Sequence, residues 1–247
     1  MIADLQTGMR SHEVGNWQRF LNDKGASLVV DEDFGRLTEL ATKVYQVNEN
    51  LVKTGTVNAL TRKRAIDQGF IPFLLARNYT LVPVLNPRKI DVIVIHTMEA
   101  PGKPTTAENV AAWFAGSTAP KASAHYCLDV DSTVQCVRDR DVAWHAPGAN
   151  HNGIGIEHAG YAKQTATEWD SAYNVTMLDR SARLTAKLCK EYNIPVQLLT
   201  PDALKSKLRG ICGHVDVTNA FSGGIGHVDP GRNFPWTDYI ALVDMYT

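Results

Sequence analysis

The amino-acid sequence predicts an α/β domain, a mixed sheet flanked by helices, preceded by a small all-α domain of three helices. Residues 1–69 contain short stretches with apolar residues at helical spacing, separated by turns centred on glycine. Residues 90–96, IDVIVIH, form a β-branched apolar run that is typical of a strand buried on both faces. Further along, short apolar runs alternate with amphipathic segments, which is the pattern of a sheet covered by helices.

The composition is that of a soluble globular protein and argues against several classes of partner. The chain has 247 residues, 44% hydrophobic and 21% charged, which suits one large or two modest domains. Its formal net charge is −1 and it has no long basic run, so we expect neither nucleic acid nor an anionic membrane as a partner. Its first twenty residues do not resemble a secretory signal, and no run has the length of a membrane span. We expect a monomer that is made in the cytoplasm.

The first domain is predicted to consist of short helices joined by glycine turns. One apolar-periodic segment surrounds Trp17, and a turn at Gly55 leads to the last segment. The middle segment is marked by four apolar residues, Leu40, Val44, Tyr45 and Val47. Residues 70–89 hold three prolines and many apolar residues, which indicates an extended connector packed on a neighbour. The predicted limits are therefore 1–69 for the helical domain, 70–89 for the connector and 90–247 for the α/β domain.

The α/β domain is predicted element by element from residue 90 onward. Its first strand, 90–96, ends in His96, and strand ends are where open α/β sheets usually place their chemistry. Residues 106–114 have a capping residue, an acidic first turn and apolar residues at helical spacing, which predicts a helix. Strands are predicted at 125–129, 133–138 and 154–157, and helices at 178–192 and 236–245.

The four cysteines are predicted to be buried free thiols. They are too few and too irregularly spaced for a disulfide framework, and no C-x-x-C occurs. If Asp131-Ser132 is a two-residue hairpin turn, Cys127 stands directly opposite Cys136. A disulfide between them is not expected in a reducing cytoplasm, so two small buried side chains are the preferred interpretation.

The histidines are concentrated in the α/β domain. Seven of the eight lie between residues 96 and 227. Imidazole and carboxylate groups are ligands that suit zinc in tetrahedral geometry, although clustering in the sequence is weak evidence alone.

Five segments of the α/β domain resemble one enzyme family in order and rough spacing. They are VIVIHT (92–97), SAHYCLDVD (123–131), WHAPGANHNGIGIEHAG (144–160), GHVD (213–216) and HVDPGRNFPW (227–236). The family is that of the zinc-dependent N-acetylmuramoyl-L-alanine amidases related to peptidoglycan recognition proteins and phage lysozymes. In residues 1–69, WQRFLNDKG, DEDFGRLTE, VYQVNE and GTVNALT resemble a small three-helix peptidoglycan-binding module, with a generic helical bundle as the alternative.

The resemblance implies a role for each matching residue. His96, His214 and Asp229 correspond to the three zinc ligands of the family, which leaves the fourth position for water. Glu157 corresponds to the glutamate that takes a proton from that water and passes it to the leaving amine. His227 stands where related enzymes often carry a residue that stabilises the oxyanion.

The tetrapeptide GHVD occurs at 213–216 and again at 226–229, and we expect the two copies to have different roles. The first copy would contribute its histidine to the metal and the second its aspartate. If both copies are strands, His214 and Asp216 point the same way, and so do His227 and Asp229. Asp216 is then expected to help hold the loop after His214.

The residues around these motifs carry further expectations. NAFSGGIG (219–226) is predicted to be an extra flexible loop beside the metal. Cys212 lies before His214 and is predicted to pack the strand rather than to bind metal. His145 lies in a Pro/Gly-rich loop and is a candidate for substrate contact, and His125 is a candidate for substrate contact or for a structural hydrogen bond. His158 is adjacent to Glu157 and should therefore point to the opposite face of the sheet.

The resemblance implies hydrolysis of the amide between N-acetylmuramic acid and L-alanine in bacterial peptidoglycan. A zinc peptidase cutting within the stem peptide and a non-catalytic peptidoglycan recognition protein are the alternatives. A wall-binding module, a wall-cutting domain and no export signal together favour a phage-type endolysin, which waits in the host cytoplasm before lysis and then acts on the cell wall. A bacterial autolysin or a recycling amidase would share the catalytic residues.

Overall fold

The structure, a computed structural model, describes residues 3–247 and divides the chain into two compact units. The first unit comprises the chain up to Leu74 together with Ser132–Val134. The second comprises Leu75–Asp131 and Gln135–Thr247. The segment 70–89, predicted as a connector, thus contains the change from the first unit to the second. No helix among residues 3–247 is both long enough and apolar enough to cross a membrane.

The described part of the first unit contains three helices. They are α1 (His12–Asp23), α2 (Arg36–Asn48) and α3 (Ala59–Ile66). The Ser11 hydroxyl accepts a hydrogen bond from the main chain at the start of α1, and the Asn58 side chain does the same for α3. Aromatic rings fill the core, with the Trp17 ring 5.2 Å from that of Phe20 and 5.6 Å from that of Tyr45.

The buried face of α2 is not the one that its apolar periodicity predicts. Leu40, Val44 and Val47 face solvent with 46%, 60% and 54% of their surface exposed. The buried face carries Tyr45 together with three polar side chains, Thr38, Thr42 and Gln46. These polar groups find partners: Trp17 Nε1 donates to Thr42 Oγ1 at 2.9 Å, and Gln46 bonds three neighbouring groups through its amide nitrogen. A polar residue with its hydrogen bonds made can be buried, which a count of apolar residues does not detect.

A five-stranded sheet has the strand order β4-β3-β6-β2-β7, and β3, β6, β2 and β7 belong to the second unit. These strands are β2 (Val92–Thr97), β3 (Tyr126–Leu128), β4 (Thr133–Gln135), β6 (Gly153–His158) and β7 (Gly210–Gly213). Strands β3, β6, β2 and β7 run parallel to one another. A separate antiparallel pair consists of β1 (Tyr79–Thr80) and β5 (Val142–Ala143).

Helices cover the sheet. They are α4 (Thr106–Ala115), α5 (Ala166–Trp169), α6 (Ala172–Tyr192), α7 (Pro201–Lys205), α8 (His214–Phe221) and α9 (Trp236–Tyr246). Helix α6 begins earlier than the predicted residue 178, because the Ser171 side chain caps it by accepting from the Asn174 N–H. α6 and α9 are joined through the Tyr239 hydroxyl, which lies 2.7 Å from Ser181 Oγ and 2.8 Å from Thr185 Oγ1.

The predicted hairpin brings two thiols together. Strands β3 and β4 are neighbours in the sheet, and the Cys127 and Cys136 sulfurs lie 3.8 Å apart. All four cysteines of the described chain are buried and free, and Cys127 and Cys136 face each other as predicted.

The register of the central strands places polar residues side by side at one end of the sheet. His96 of β2 is directly opposite Glu157 of β6, and Val94 is opposite both Gly155 of β6 and Cys212 of β7. Because side chains alternate between the faces of a sheet, all of these residues lie on one face. The other face of β6 carries His158, whose ring nitrogens contact the His96 carbonyl at 3.0 Å and Ser181 Oγ of α6 at 2.7 Å. The predicted orientation of His158, away from Glu157, is confirmed.

Candidate metal centre

His96 stands near the carboxyl end of β2 with its ring buried. Its Nδ1 lies 3.0 Å from Asp229 Oδ2, and its Nε2 lies 3.1 Å from Nδ1 of His145. Burial lowers the pKa of His96 and outweighs the opposing effect of Asp229. A neutral imidazole keeps a lone pair, as metal binding requires.

His214 approaches the same carboxylate from a helix start, not from a strand. Strand β7 ends at Gly213 and His214 is the first residue of α8, so the expectation that His214 and Asp216 lie in a strand is wrong. Asp216 Oδ2 accepts from the Gly213 N–H at 2.9 Å and caps the helix, which explains why the chain turns here. The cap fixes the backbone immediately before His214, and the His214 Nδ1 lies 3.2 Å from Asp229 Oδ1.

Asp229 lies between the two imidazoles, with one carboxylate oxygen facing each ring. Its main-chain carbonyl accepts from the Val215 N–H at 2.9 Å, which ties this loop to the first turn of α8. Burial alone would raise the pKa of Asp229, but hydrogen bonds with His214 and His96 outweigh burial and hold the pKa far below its usual value. The side chain is therefore a carboxylate at neutral pH.

The donor set of these three residues fits a zinc ion. One ligand atom from each of His96, His214 and Asp229 lies within 4.8 Å of the others, and all three residues are buried. Two imidazole nitrogens and one carboxylate oxygen form a combination that zinc accepts, and three protein ligands leave one position for a reactant. The structure thus brings together the three residues predicted as ligands, while the ion itself and their role remain predictions.

Glu157 stands beside this cluster, in register with His96 on the neighbouring strand. Within residues 3–247, no polar group hydrogen-bonds its buried Oε2 atom. Burial, together with the charges of Asp229 and Glu99, raises the pKa of Glu157 to about 8. A carboxyl group with a raised pKa and a free oxygen beside a candidate metal site is suited to accept and return a proton.

His227 lies at the exposed rim of the cluster, in an irregular segment rather than in the predicted strand. Its ring stacks on that of His214 with centroids 4.3 Å apart, and 71% of its side chain is exposed. Its Nδ1 is 3.5 Å from Asp229 Oδ1. The side chain is thus accessible from solvent, where a substrate would arrive. Helix α8 continues through Phe221, so the predicted loop 219–226 begins as helix.

His145 and His125 both lie inside the protein rather than along a groove. Nδ1 of His125 accepts from the Gly155 N–H at 3.0 Å, and its Nε2 lies 3.2 Å from the Asp141 carbonyl. The structure therefore supports the structural alternative for His125 and gives no opening for the predicted substrate contact. His145 is only 8% exposed, and burial lowers its pKa well below the usual value. Its Nδ1 lies 3.1 Å from Nε2 of His96, and the substrate contact of His145 stays a prediction.

Arg88 is a residue that the sequence analysis did not single out. It lies in the predicted connector, yet it is buried. Its donors reach the carbonyls of Asp139, Asn150, His151 and Gly153 and lie against the His125 ring. Burial lowers the pKa of Arg88 to about 10, which still leaves it charged. The only sequence signal was an arginine close to a buried strand, which is too common to be informative.

Cys212 packs the strand that leads to His214. It is buried in an apolar cluster with Val94, Leu199 and Val217, and it is not part of the three-residue metal cluster. The prediction that Cys212 has a packing role is confirmed.

Comparison with known proteins assigns a family to the second unit. The sequence profile of the family described as N-acetylmuramoyl-L-alanine amidase matches residues 86–232. N-acetylmuramoyl-L-alanine amidase A of Achromobacter lyticus is 32% identical over 165 residues, covering 62% of this chain and 82% of that protein. The 1,6-anhydro-N-acetylmuramyl-L-alanine amidase AmpD of Haemophilus influenzae is 28% identical over 179 residues, covering 64% of this chain and 85% of that protein.

Solved structures show the same fold at low identity. The structure of a PlyL point mutant matches with a TM-score of 0.50 and 16% identity, covering 70% of this chain and 98% of that one. The Staphylococcus aureus hydrolase AmiA in complex with its ligand matches with a TM-score of 0.50 and 16% identity, covering 77% of this chain and 91% of that one. These likenesses confirm the predicted α/β class, a mixed sheet flanked by helices.

Proposed function

Because the chain belongs to the N-acetylmuramoyl-L-alanine amidase family, we propose that it hydrolyses the amide between N-acetylmuramic acid and the L-alanine of the stem peptide in bacterial peptidoglycan. The observation that carries the proposal is the convergence of His96, His214 and Asp229 beside the unpartnered carboxyl oxygen of Glu157. All four residues lie inside the region that matches the family. The proposed cofactor is Zn²⁺, held by the two histidines and the aspartate.

The proposed mechanism divides the work among these side chains. A zinc ion, when bound, supplies a Lewis acid that polarises the amide carbonyl and a positive charge that favours deprotonation of water and of Glu157. Glu157 accepts a proton from the attacking water and returns it to the nitrogen of the leaving L-alanine, so that water is added across the C–N bond. His227 is placed at the exposed rim, where its ring can donate to the carbonyl oxygen as negative charge develops there.

Two substitutions separate metal binding from proton transfer. His214→Ala should abolish stoichiometric zinc binding and activity, because it removes one of three protein ligands. Glu157→Gln should keep zinc at one ion per chain while turnover falls by about 100- to 10,000-fold, since only the proton acceptor is lost. Atomic absorption gives the zinc content, and release of soluble fragments from purified peptidoglycan gives the turnover. A near-native rate for Glu157→Gln would contradict the assignment of Glu157.

The proposal extends to the whole chain and its setting. We propose that the first unit binds peptidoglycan and that the protein is a monomeric phage endolysin, held in the host cytoplasm before lysis. The motifs of residues 1–69 and the amidase family of the second unit support this combination. Bacteria producing the protein should stay intact until their membrane is permeabilised and then lyse rapidly. Lysis without permeabilisation would contradict the proposed setting and leave the amidase assignment untouched.

A further inference from the structure

We propose that His145 is a positioning residue, which accepts a hydrogen bond from Nε2 of His96 and thereby presents Nδ1 of His96 to the metal. The inference rests on the metal site proposed above. It assigns to His145 a task different from the substrate contact that its loop suggests.

The two ring nitrogens of His96 face different groups. Nδ1 lies 3.0 Å from Asp229 Oδ2, on the side of the metal cluster, and Nε2 lies 3.1 Å from Nδ1 of His145. A neutral imidazole carries a single N–H, and a nitrogen that binds metal cannot be protonated. With Nδ1 bound to metal, the N–H of His96 is on Nε2, and the atom facing it must accept. Nδ1 of His145 therefore carries a lone pair, and the N–H of His145 is on its Nε2.

Metal-binding histidines usually donate their second N–H to a carboxylate, a carbonyl or water, which fixes both the tautomer and the orientation of the ring. Here the acceptor is another imidazole, and it must itself be held in place. The loop that carries it is fixed by Asn150, whose Oδ1 accepts from the His145 N–H at 2.9 Å and from the Ala146 N–H at 2.6 Å. Asn150 therefore fixes the backbone of His145, from which the ring extends to His96.

The sheet provides a slot for the His145 ring. A Cβ atom at Gly155 of β6 would lie 2.6 Å from Cγ of His145 and 2.7 Å from its Nδ1. Gly155 has no side chain, so the imidazole can lie directly against the strand. Gly155 lies two residues before Glu157, on the same face of β6. On its other side the ring meets His125 edge-on, with centroids 5.6 Å apart. The bare backbone at Gly155 thus allows the ring to reach His96.

The proposed tautomer of His145 has a cost at the buried Nε2 atom. Among residues 3–247 it has no hydrogen-bond partner, which is an unfavourable arrangement for a buried N–H. The ring is nevertheless oriented with Nδ1 toward His96, so the hydrogen bond with His96 is the one that the ring makes.

The test compares two substitutions of nearly equal shape. His145→Leu removes the acceptor, whereas His145→Asn places an amide oxygen near the position of Nδ1. Zinc affinity, measured by competition with a chromophoric chelator, should fall about 10- to 100-fold in the leucine variant and recover at least in part in the asparagine variant. The exposed His151 provides the control, since His151→Leu should leave the affinity unchanged. Unchanged affinity in His145→Leu, or equal loss in both His145 variants, would overturn the proposal.

A measurement on the unaltered protein decides the matter if the leucine variant does not fold. Nitrogen-15 NMR of the zinc-loaded protein reports the tautomer of each imidazole, and we expect the N–H on Nε2 in both His96 and His145. A proton on Nδ1 of His145 would overturn the proposal. Failure of the wild-type protein to bind one zinc ion would instead refute the proposed function, so the two failures are distinguishable.

Discussion

Substitution of Glu157 by glutamine should lower turnover by about 100- to 10,000-fold and yet stabilise the metal-free protein at alkaline pH. In the metal-free site the carboxyl oxygen Oε2 is buried without a hydrogen-bond partner within residues 3–247, close to the negative charges of Asp229 and Glu99. Burial and these charges raise the pKa of Glu157 from 4.5 to about 8. The folded protein therefore holds a proton that the unfolded chain has already released.

This difference in bound protons determines how the free energy of unfolding changes with pH. Between the unfolded pKa of 4.5 and the folded pKa of about 8, the native state binds more protons, so the free energy of unfolding falls as pH rises through this window. The full difference corresponds to about 5 kcal/mol, of which about 4 kcal/mol is lost by about pH 8. Although its Oε2 atom is buried, Glu157 as a whole is partly exposed, so water screens the charge and we expect roughly 1–3 kcal/mol.

The assay is thermal unfolding in the presence of a chelator, for the wild-type and Glu157→Gln proteins, at about pH 5 and about pH 8. The variant should gain stability relative to the wild type between the two pH values, at about 2–4 °C in Tm per kcal/mol. Asp202→Asn is the control, because the side chain of Asp202 is 94% exposed and its removal should produce no comparable pH-dependent gain. If the difference between Glu157→Gln and wild type is the same at both pH values, the carboxyl group is not held protonated by its surroundings.

Four further substitutions test the packing. Arg88→Leu deprives several buried carbonyls of their donor and should lower the free energy of unfolding by about 3–5 kcal/mol, measured by denaturant titration. Val44→Lys, on the exposed face of α2, should change stability by less than about 0.5 kcal/mol, while Tyr45→Ala, on its buried face, should cost about 3–5 kcal/mol in the same titration. Gly155→Ala forces a methyl group against His145 and should cost about 1–3 kcal/mol and weaken zinc binding, as chelator competition would show. The packing described would be contradicted if Arg88→Leu left the free energy of unfolding unchanged, or if Val44→Lys lowered it substantially. An unaltered zinc affinity in Gly155→Ala would contradict it as well.

The sequence was most informative where a single chain segment determines the structure. The β-branched run before His96 identified a buried strand and its end, and the two residues Asp131-Ser132 identified a hairpin that brings Cys127 and Cys136 together. In both cases local preference and tertiary packing require the same conformation.

The sequence was least informative where tertiary contacts decide between local alternatives. Short runs such as GHVD are compatible with strand or helix, and the hydrogen bond from the Gly213 N–H to Asp216 makes the first copy a helix start. The polar face of α2 is buried because Gln46 and its neighbours satisfy one another across segments distant in sequence. Pairing between separate segments also buries Arg88, and no local pattern indicates it.

The candidate site shows both situations. The resemblance of five motifs named His96, His214 and Asp229, and the structure places all three within reach of one ion. The resemblance did not reveal the role proposed for His145. The contact between His145 and His96 depends on the absence of a side chain at Gly155, which lies in a third segment of the chain.

The zinc amidase assignment can be tested by digesting purified peptidoglycan with the 247-residue protein, with and without a chelator, and identifying the products by mass spectrometry. We expect release of intact stem peptides that begin with a free L-alanine amine, loss of this activity on chelation, and its return when zinc is added back. Cleavage that persists in the chelator, or cuts within the stem peptide, would contradict the zinc amidase assignment of His96, His214, Asp229 and Glu157.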